Sequence, residues 1–242
     1  MEITLDTKVG EIVRNNFSSA RIFEANKIDF CCGGNISLIE AAEKNGVDTG
    51  KLLKELNRAM QKEDRDSNYI ESLSLAGLCD YIIQTHHTYV NDAMPFLQQN
   101  LQKLCDVHGE NHPELFEVQA SFTDAANNLA AHMRKEELIL FPHIRQLEKC
   151  RLEGGVRPAN IGLASSAISQ MEAEHLAEGE RFMNLSEITK NYEFPKDGCN
   201  TFTVTYKTLE EFENDLHRHI HLENNVLFPK SIHLEKLMVD HT

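Results

Sequence analysis

Two segments of this chain repeat one pattern that places a charged residue on the buried face of a helix. Residues 132–142 and 219–229 both read His-x3-Glu-x3-Leu-Phe-Pro. A His and a Glu four positions apart lie one above the other on a helix, and apolar stripes with helical spacing run through both pairs. A buried carboxylate without a partner is very costly. The repeat therefore predicts two long helices whose His–Glu pairs share a core with cations or protons.

The repeat extends upstream to one further histidine in each half. His132 lies 45 residues after His87, and His219 lies 44 residues after His175. His86 competes with His87, but the stripe through His87 continues for two more turns of large apolar residues. Each half then consists of a helix with one inward histidine followed by a helix with His-x3-Glu. Two such hairpins predict a four-helix bundle with four histidines and two glutamates on its axis.

Nitrogen and oxygen donors in a bundle core suit a pair of first-row metal ions. Iron is the first choice, although the donor types do not exclude manganese or zinc. Two six-coordinate ions need about twelve bonds, of which four histidines, two bridging glutamates and one bridging oxygen supply about ten. About two positions stay open, which favours oxygen, nitric oxide or electron-transfer chemistry over a closed structural site.

Composition narrows the class of protein. Glycine (12) and proline (6) are scarce among 242 residues, which suits long helices. The net charge of −14 disfavours nucleic acid and anionic membrane as partners. The sequence has no apolar run of about 20 residues and no signal-peptide pattern at its start, so we expect a cytoplasmic protein with reduced cysteines.

The chain is expected to be all-α and to have two domains. Residues 1–60 predict a small helical domain with a loop at 29–35 and a capping box at 37–40. Residues 61–70 predict a linker, and residues 71–242 predict the bundle. Glycines and prolines mark the expected breaks between the bundle helices at 106–113, 151–160 and 191–201, the second with Gly154, Gly155 and Pro158. Pro142 and Pro229 are expected to bend or end a helix.

These motifs resemble a known family. The paired segments resemble hemerythrin-like domains, while residues 29–34 (DFCCGG) and 171–175 (MEAEH) resemble the Repair of Iron Centers proteins. The resemblance implies a non-haem di-iron centre, bridged by oxo or hydroxo, that serves to restore iron–sulfur clusters damaged by nitric oxide or peroxide, often in a homodimer. Carried over by position, the iron ligands are His87, His132, Glu136, His175, His219 and Glu223, with both glutamates bridging.

For several other polar residues the sequence leaves more than one role open. Cys31 and Cys32 either pass iron and react with nitrosyl species or disulfides, or serve as small apolar residues in a turn. Glu174 and Glu137 are each expected to be either a base beside the ligands or a solvated charge. The other four cysteines are expected to lie in the core or to have no role. The remaining histidines are expected at the surface or at helix caps: His108, His112, His143, His217, His221, His233 and His241.

We therefore expect a stress protein that repairs iron–sulfur clusters by donating iron to damaged or scaffold proteins. One alternative is a nitric oxide reductase that forms nitrous oxide at the open positions. Its electrons would come from an unidentified donor, because the chain has no flavin or nicotinamide fingerprint. The other alternative is a non-enzymatic sensor of oxygen or nitric oxide, and whether the protein is an enzyme stays open.

Overall fold

The computed structural model describes residues 2–153 and 162–240, and regular structure in these ranges is helical apart from one isolated β-bridge. The all-α prediction is confirmed. The expected break at 151–160, with Gly154, Gly155 and Pro158, extends outside the described residues. None of the helices in the described ranges is long and apolar enough to cross a membrane.

The chain divides into two compact units. Unit 1 comprises residues 1–79, 147–161 and 220–242, and unit 2 comprises residues 80–146 and 162–219. The α-helices are α1 (Val9–Asn15), α2 (Ala20–Ala25), α3 (Leu38–Lys44), α4 (Thr49–Ala59), α5 (Arg65–Ser72), α6 (Leu75–Ile82), α7 (Thr88–His108), α8 (Glu114–Lys135), α9 (Phe141–Glu153), α10 (Leu163–Ile188), α11 (Asn200–Leu222) and α12 (Phe228–Asp240). Three π-helical turns interrupt this series: π1 (Ile83–His87), π2 (Glu136–Leu140) and π3 (Glu223–Leu227).

Side-chain caps set the start of several short helices in unit 1. Ser37 and Glu40 form the expected capping box at α3, and Asp48 accepts a hydrogen bond from the Lys51 N–H at the start of α4. Asp64 accepts bonds from two backbone N–H groups and caps α5, which begins at Arg65. The second half of the stretch expected as a linker is therefore helical.

Unit 2 contains four long helices around an aromatic core. Phe212 of α11 lies 5.4 Å from Phe122 of α8 and 5.5 Å from Phe182 of α10, measured between ring centroids. Tyr89 of α7 is 6.2 Å from the same ring. The three phenylalanines are fully buried. One core thus joins all four helices, and the helix ends at His108 and Ile188 match the breaks expected from the sequence.

The two repeated prolines do not end their helices. Pro142 and Pro229 occupy the second positions of α9 and α12, and a proline there cannot donate the backbone hydrogen bond of a continuing helix. A π-helical turn directly precedes each of these helices. Such turns hold one extra residue per turn and occur mostly at functional sites. The helical path continues through both motifs, so neither helix ends at its proline, and the alternative expectation of a bend stays a prediction.

Candidate metal centre

Five of the six residues expected to bind metal lie in unit 2, each on a different part of its helices. His87 ends π1, His132 is in the last turn of α8, Glu136 begins π2, His175 is inside α10, and His219 is near the end of α11. Their exposed fractions range from 0% to 4%. These polar side chains are therefore removed from solvent and must interact within the protein.

Glu136 lies at the centre of this cluster. Its Oε2 is 3.4 Å from Nε2 of His87 and 3.4 Å from Nε2 of His132. The Nε2 atoms of His132 and His175 are 3.0 Å apart. The rings of His87 and His219 have centroids 5.0 Å apart. Two sets of donors, one with His87 and His219 and one with His132 and His175, thus share the Glu136 carboxylate, and within each set the ligand atoms lie within 4.8 Å.

Glu223, the sixth expected ligand, is the first residue of π3 and belongs to unit 1. It is fully buried. Because it follows His219 by four residues along one helical path, the two side chains are on the same face of that path. Helical spacing thus relates Glu223 to His219 as it relates Glu136 to His132.

Carboxylates fix the orientation of two of the histidines. Glu137 Oε1 lies 2.7 Å from Nδ1 of His87, and Glu174 Oε2 lies 2.8 Å from Nδ1 of His132. Burial alone would raise the pKa of Glu174, but hydrogen bonds from Lys135, His132 and Gln170 outweigh it and lower the pKa to about 2. An ionised carboxylate only accepts hydrogen bonds, so Nδ1 of His132 is the donor and its Nε2 keeps a lone pair.

His86 is buried as deeply as His87 but is oriented differently. Its Nδ1 lies 2.9 Å from Asp215 Oδ1, and its ring stacks on the ring of His219 at 5.5 Å and an interplanar angle of 5°. Of the two adjacent histidines, His87 is the one that directs Nε2 at Glu136. The sequence already favours His87 over His86 through its longer apolar stripe, and this orientation supports the same choice.

The donors present fit a pair of first-row metal ions. Neutral imidazole nitrogen and carboxylate oxygen are ligands for iron, manganese and zinc, whereas the cluster has no thiolate that would select a soft metal. The shared carboxylate supplies two oxygens and can bridge two ions. The carboxylates behind His87 and His132 are the outer partners that metal-bound histidines have in most proteins.

A second group of ligand atoms lies in the loop of unit 1. Asp29 Oδ1 accepts bonds from the N–H groups of Cys31 (3.0 Å) and Cys32 (2.9 Å), and Oδ2 accepts one from Gly33 (2.8 Å). The two sulfur atoms are 3.8 Å apart, and Cys31 Sγ is 3.3 Å from Asp29 Oδ1. Hydrogen bonding to Cys32 and burial raise the pKa of Cys31 well above its usual value, so this thiol keeps its proton at neutral pH.

Two asparagines of π3 hold this loop. Asn224 Nδ2 donates to the Cys31 carbonyl at 3.2 Å, and Asn225 Nδ2 lies 3.2 Å from the carbonyls of Phe30 and Cys31. A Cβ atom at Gly34 would lie 2.8 Å from the Phe30 carbonyl oxygen, a backbone atom that cannot easily move away, so this close approach requires glycine. The cysteine pair therefore rests on the helical turn that begins with Glu223.

Two histidines that were expected at the surface or at helix caps are buried. His143 and His221 are 5% and 2% exposed, so that expectation is wrong for both. His221 packs beside Phe17 and Phe30, with ring centroids 5.9 Å away in each case, and its Nδ1 lies 3.1 Å from Asn225 Nδ2. A partial signal was present, since His221 is in the second copy of the repeat.

Comparison with known proteins identifies the family. Residues 79–231 match the model described as the hemerythrin HHE cation binding domain. The chain belongs to the hemerythrin HHE family. In this hemerythrin-family chain, residues 5–60 match a second model, ScdA_N, described as a domain of unknown function (DUF542). The two matches fall on either side of residues 61–70, while the domain boundaries themselves stay a prediction.

Curated relatives extend over nearly the whole chain. The iron-sulfur cluster repair protein ScdA of Staphylococcus haemolyticus is 32% identical over 228 residues, which cover 94% of this chain and 99% of ScdA. The iron-sulfur cluster repair proteins YtfE of Yersinia pseudotuberculosis and Yersinia pestis are each 34% identical over 215 residues, covering 88% of this chain and 91% of theirs. The resemblance inferred from the motifs is confirmed.

Proposed function

We propose that this protein binds two iron ions and repairs iron–sulfur clusters by supplying iron to them. The observation that carries the proposal is the buried cluster of unit 2, in which Glu136 lies 3.4 Å from imidazole nitrogens of both histidine sets. Membership of a cation-binding family supports the metal, and the names of the ScdA and YtfE relatives support cluster repair.

The proposed ligand set is the one expected from the repeat. His87, His219 and Glu136 would hold one ion, and His132, His175 and Glu136 would hold the other, with Glu223 as the second bridge. Bound iron would supply redox capacity and open positions for small ligands. The outer carboxylates keep the histidine lone pairs directed at the ions, which strengthens both binding sites.

Iron can leave a site more easily when no anionic ligand belongs to that ion alone, and the proposed ligand set has this property. Each ion would be held by imidazole nitrogens and by carboxylates shared with the other ion, so neither ion would have an anionic ligand of its own. Cysteine thiols can also bind iron, but only after they lose their protons and become thiolates. The raised pKa of Cys31 keeps the thiol protonated until a cation displaces the proton. We propose that Asp29, Cys31 and Cys32 form a transient site for iron that leaves the centre.

The experiment that tests this function measures metal content and then metal transfer. The purified protein is expected to hold two irons per chain and to restore activity to an apo iron–sulfur enzyme, with isotopically labelled iron appearing in the acceptor. Zinc, or less than one iron per chain, would contradict the di-iron proposal. Sustained release of nitrous oxide from nitric oxide without iron transfer would instead establish the reductase alternative.

The adjacent histidines provide a matched pair of variants. His87→Gln is expected to lose iron, because Nε2 of His87 faces Glu136, whereas His86→Gln is expected to retain two irons. Both side chains are 1% exposed and both have a carboxylate at Nδ1, so burial and loss of one hydrogen bond are comparable. Equal iron loss in both variants would contradict the assignment.

The acceptor proteins and the cellular compartment are also part of the proposal. Damaged iron–sulfur proteins are the proposed acceptors, in the cytoplasm, where vicinal thiols stay reduced. The homodimer and a separate electron donor stay predictions from the sequence.

A further inference from the structure

Cys199 and His108 form a pair outside the proposed metal centre. Cys199 immediately precedes α11, and His108 is the last residue of α7. The distance from His108 Nε2 to Cys199 Sγ is 3.3 Å, and Cys199 is exposed to solvent. The sequence suggested no role for either residue.

The imidazole is held in place by an aromatic side chain. Phe202 is fully buried, and its ring packs edge-on against His108, with centroids 5.6 Å apart and an interplanar angle of 70°. The same ring packs against His112 at 5.5 Å and 72°. Because the ring of His108 is packed on this fixed surface, its Nε2 stays directed at the sulfur atom.

Several donors favour the thiolate form of Cys199. The hydrogen bond from His108 and the backbone N–H groups of Phe202 and Thr201 lower the pKa of Cys199 to about 7. The backbone groups belong to the first turn of α11, where N–H groups lack helical partners and favour an anion.

The surrounding charges come from each neighbouring element. His112 precedes α8, Glu114 begins it, and Asp197 lies in the segment before Cys199. His112 binds Glu114 at 3.1 Å and Asp197 at 3.3 Å. The acidic groups disfavour anionic reactants near the sulfur and leave small neutral ones unaffected.

We propose that Cys199, hydrogen-bonded to His108, reacts as a thiolate with hydrogen peroxide. The thiolate attacks one peroxide oxygen, a sulfur–oxygen bond forms and the oxygen–oxygen bond breaks. Sulfur loses two electrons to give the sulfenic acid, and peroxide gains them. The departing hydroxide takes a proton from solvent and leaves as water. A low-molecular-weight thiol then converts the sulfenic acid to a mixed disulfide and water.

The surroundings favour this chemistry over a further metal site. In the part of the chain that the structure describes, three groups of His, Cys, Asp and Glu bring their ligand atoms within 4.8 Å of one another. Cys199 is in none of these groups. The sulfur is thus held by hydrogen-bond donors and stays accessible to a small reactant.

The first test measures alkylation of Cys199 against pH in the full-length protein. Iodoacetamide labelling with peptide mass spectrometry should give a midpoint near pH 7. In His108→Gln the midpoint should move up toward the ordinary value of about 8.5. The thiolate fraction at pH 7 would then fall about 16-fold while its nucleophilicity rises about fivefold, so the labelling rate falls about threefold.

His112→Gln is the matched control. It removes an imidazole that packs on the same Phe202 ring but makes no hydrogen bond to the sulfur of Cys199. Its Cys199 midpoint should equal that of the unmodified protein. Labelling of the half-buried Cys150 serves as the internal reference and should be the same in all three proteins. Should His108→Gln fail to fold, the midpoint in the unmodified protein still decides whether the thiol is activated.

The second test adds peroxide in the presence of a chelator and traps sulfenic acid with dimedone. Cys199 should be trapped faster than Cys150, and His108→Gln should abolish the difference. An ordinary midpoint for Cys199, equal midpoints in the two histidine variants, or no trapped Cys199 would overturn the proposal. Iron content should not change in either variant, so this result is separable from the test of the metal centre.

Discussion

Replacing Glu136 should lower iron binding without lowering the free energy of unfolding of the metal-free protein. Glu136 is fully buried, with an imidazole nitrogen 3.4 Å away on each of two helical segments. Glu136→Leu keeps a side chain of similar volume and removes the desolvated carboxylate. Exchange of a whole buried ionic cluster for hydrophobic side chains is neutral or stabilising by about 1–4 kcal/mol, and the desolvation penalty of the carboxylate is the part of it that Glu136→Leu removes. We therefore expect the metal-free variant to be more stable than the metal-free parent and to bind at most one iron.

The magnitude follows from two opposing contributions. Burial of a leucine side chain contributes about 1.5–3 kcal/mol, and the loss of two imidazole contacts offsets about 1 kcal/mol. A net gain of about 0.5–2 kcal/mol should raise the melting temperature by about 2–4 °C for each kcal/mol. Urea unfolding of chelator-treated protein, followed by circular dichroism, measures the free energy, and elemental analysis measures iron.

A second buried glutamate supplies the control. Glu178 is 5% exposed and accepts hydrogen bonds from Asn128 at 2.8 Å and Arg181 at 3.0 Å. Glu178→Leu leaves both donors without this partner, so it should destabilise by about 1–3 kcal/mol while iron content is unchanged. If Glu136→Leu destabilises the metal-free protein as much as Glu178→Leu, or still binds two irons, the reasoning is refuted.

Three further predictions test other parts of the molecule. Glu174→Gln should weaken iron binding about 10–100-fold in a chelator competition, whereas Asp215→Asn should not; equal losses would argue against orientation by Glu174. The double variant Cys31→Ser, Cys32→Ser should keep two irons but transfer them more slowly, and an unchanged transfer rate would remove the thiols from the mechanism. Asp64→Ala should cost about 1 kcal/mol in urea unfolding at pH 7. Hydrogen bonds outweigh burial and lower the pKa of Asp64, so its contribution is complete above about pH 4 and is lost as the pH falls through the folded-state pKa; a difference that persists in acid would contradict this.

Local rules of sequence predicted much of the helical structure. The capping box at Ser37 and the cap at Asp48 involve residues three positions apart, so their geometry needs no distant contact. Breaks at 106–113 and 191–201 followed from glycine and proline for the same reason. At Pro142 the local rule allowed either a bend or an end of the helix, and the structure has a π-helical turn directly before the proline instead of a helix end.

Burial of individual polar residues was less predictable. Histidines without a role as ligand are more often exposed, yet His143 and His221 are buried, and His221 packs against Phe17 and Phe30. The pairing of His87 with Glu137 joins residues 50 positions apart, which no short-range periodicity reveals. Cys199 likewise meets His108 across 91 positions, and neither residue is in a repeat.

The sequence by itself determined which faces of the helices carry histidine and glutamate, because a spacing of four residues aligns side chains on any α-helix. It also determined the family, through two copies of one motif and the Cys-Cys-Gly-Gly loop. Only the tertiary structure decided which histidine each outer carboxylate faces, Glu137 at His87 and Glu174 at His132. Those choices depend on side-chain rotation and on contacts between helices far apart in the chain, which distance along the sequence does not specify.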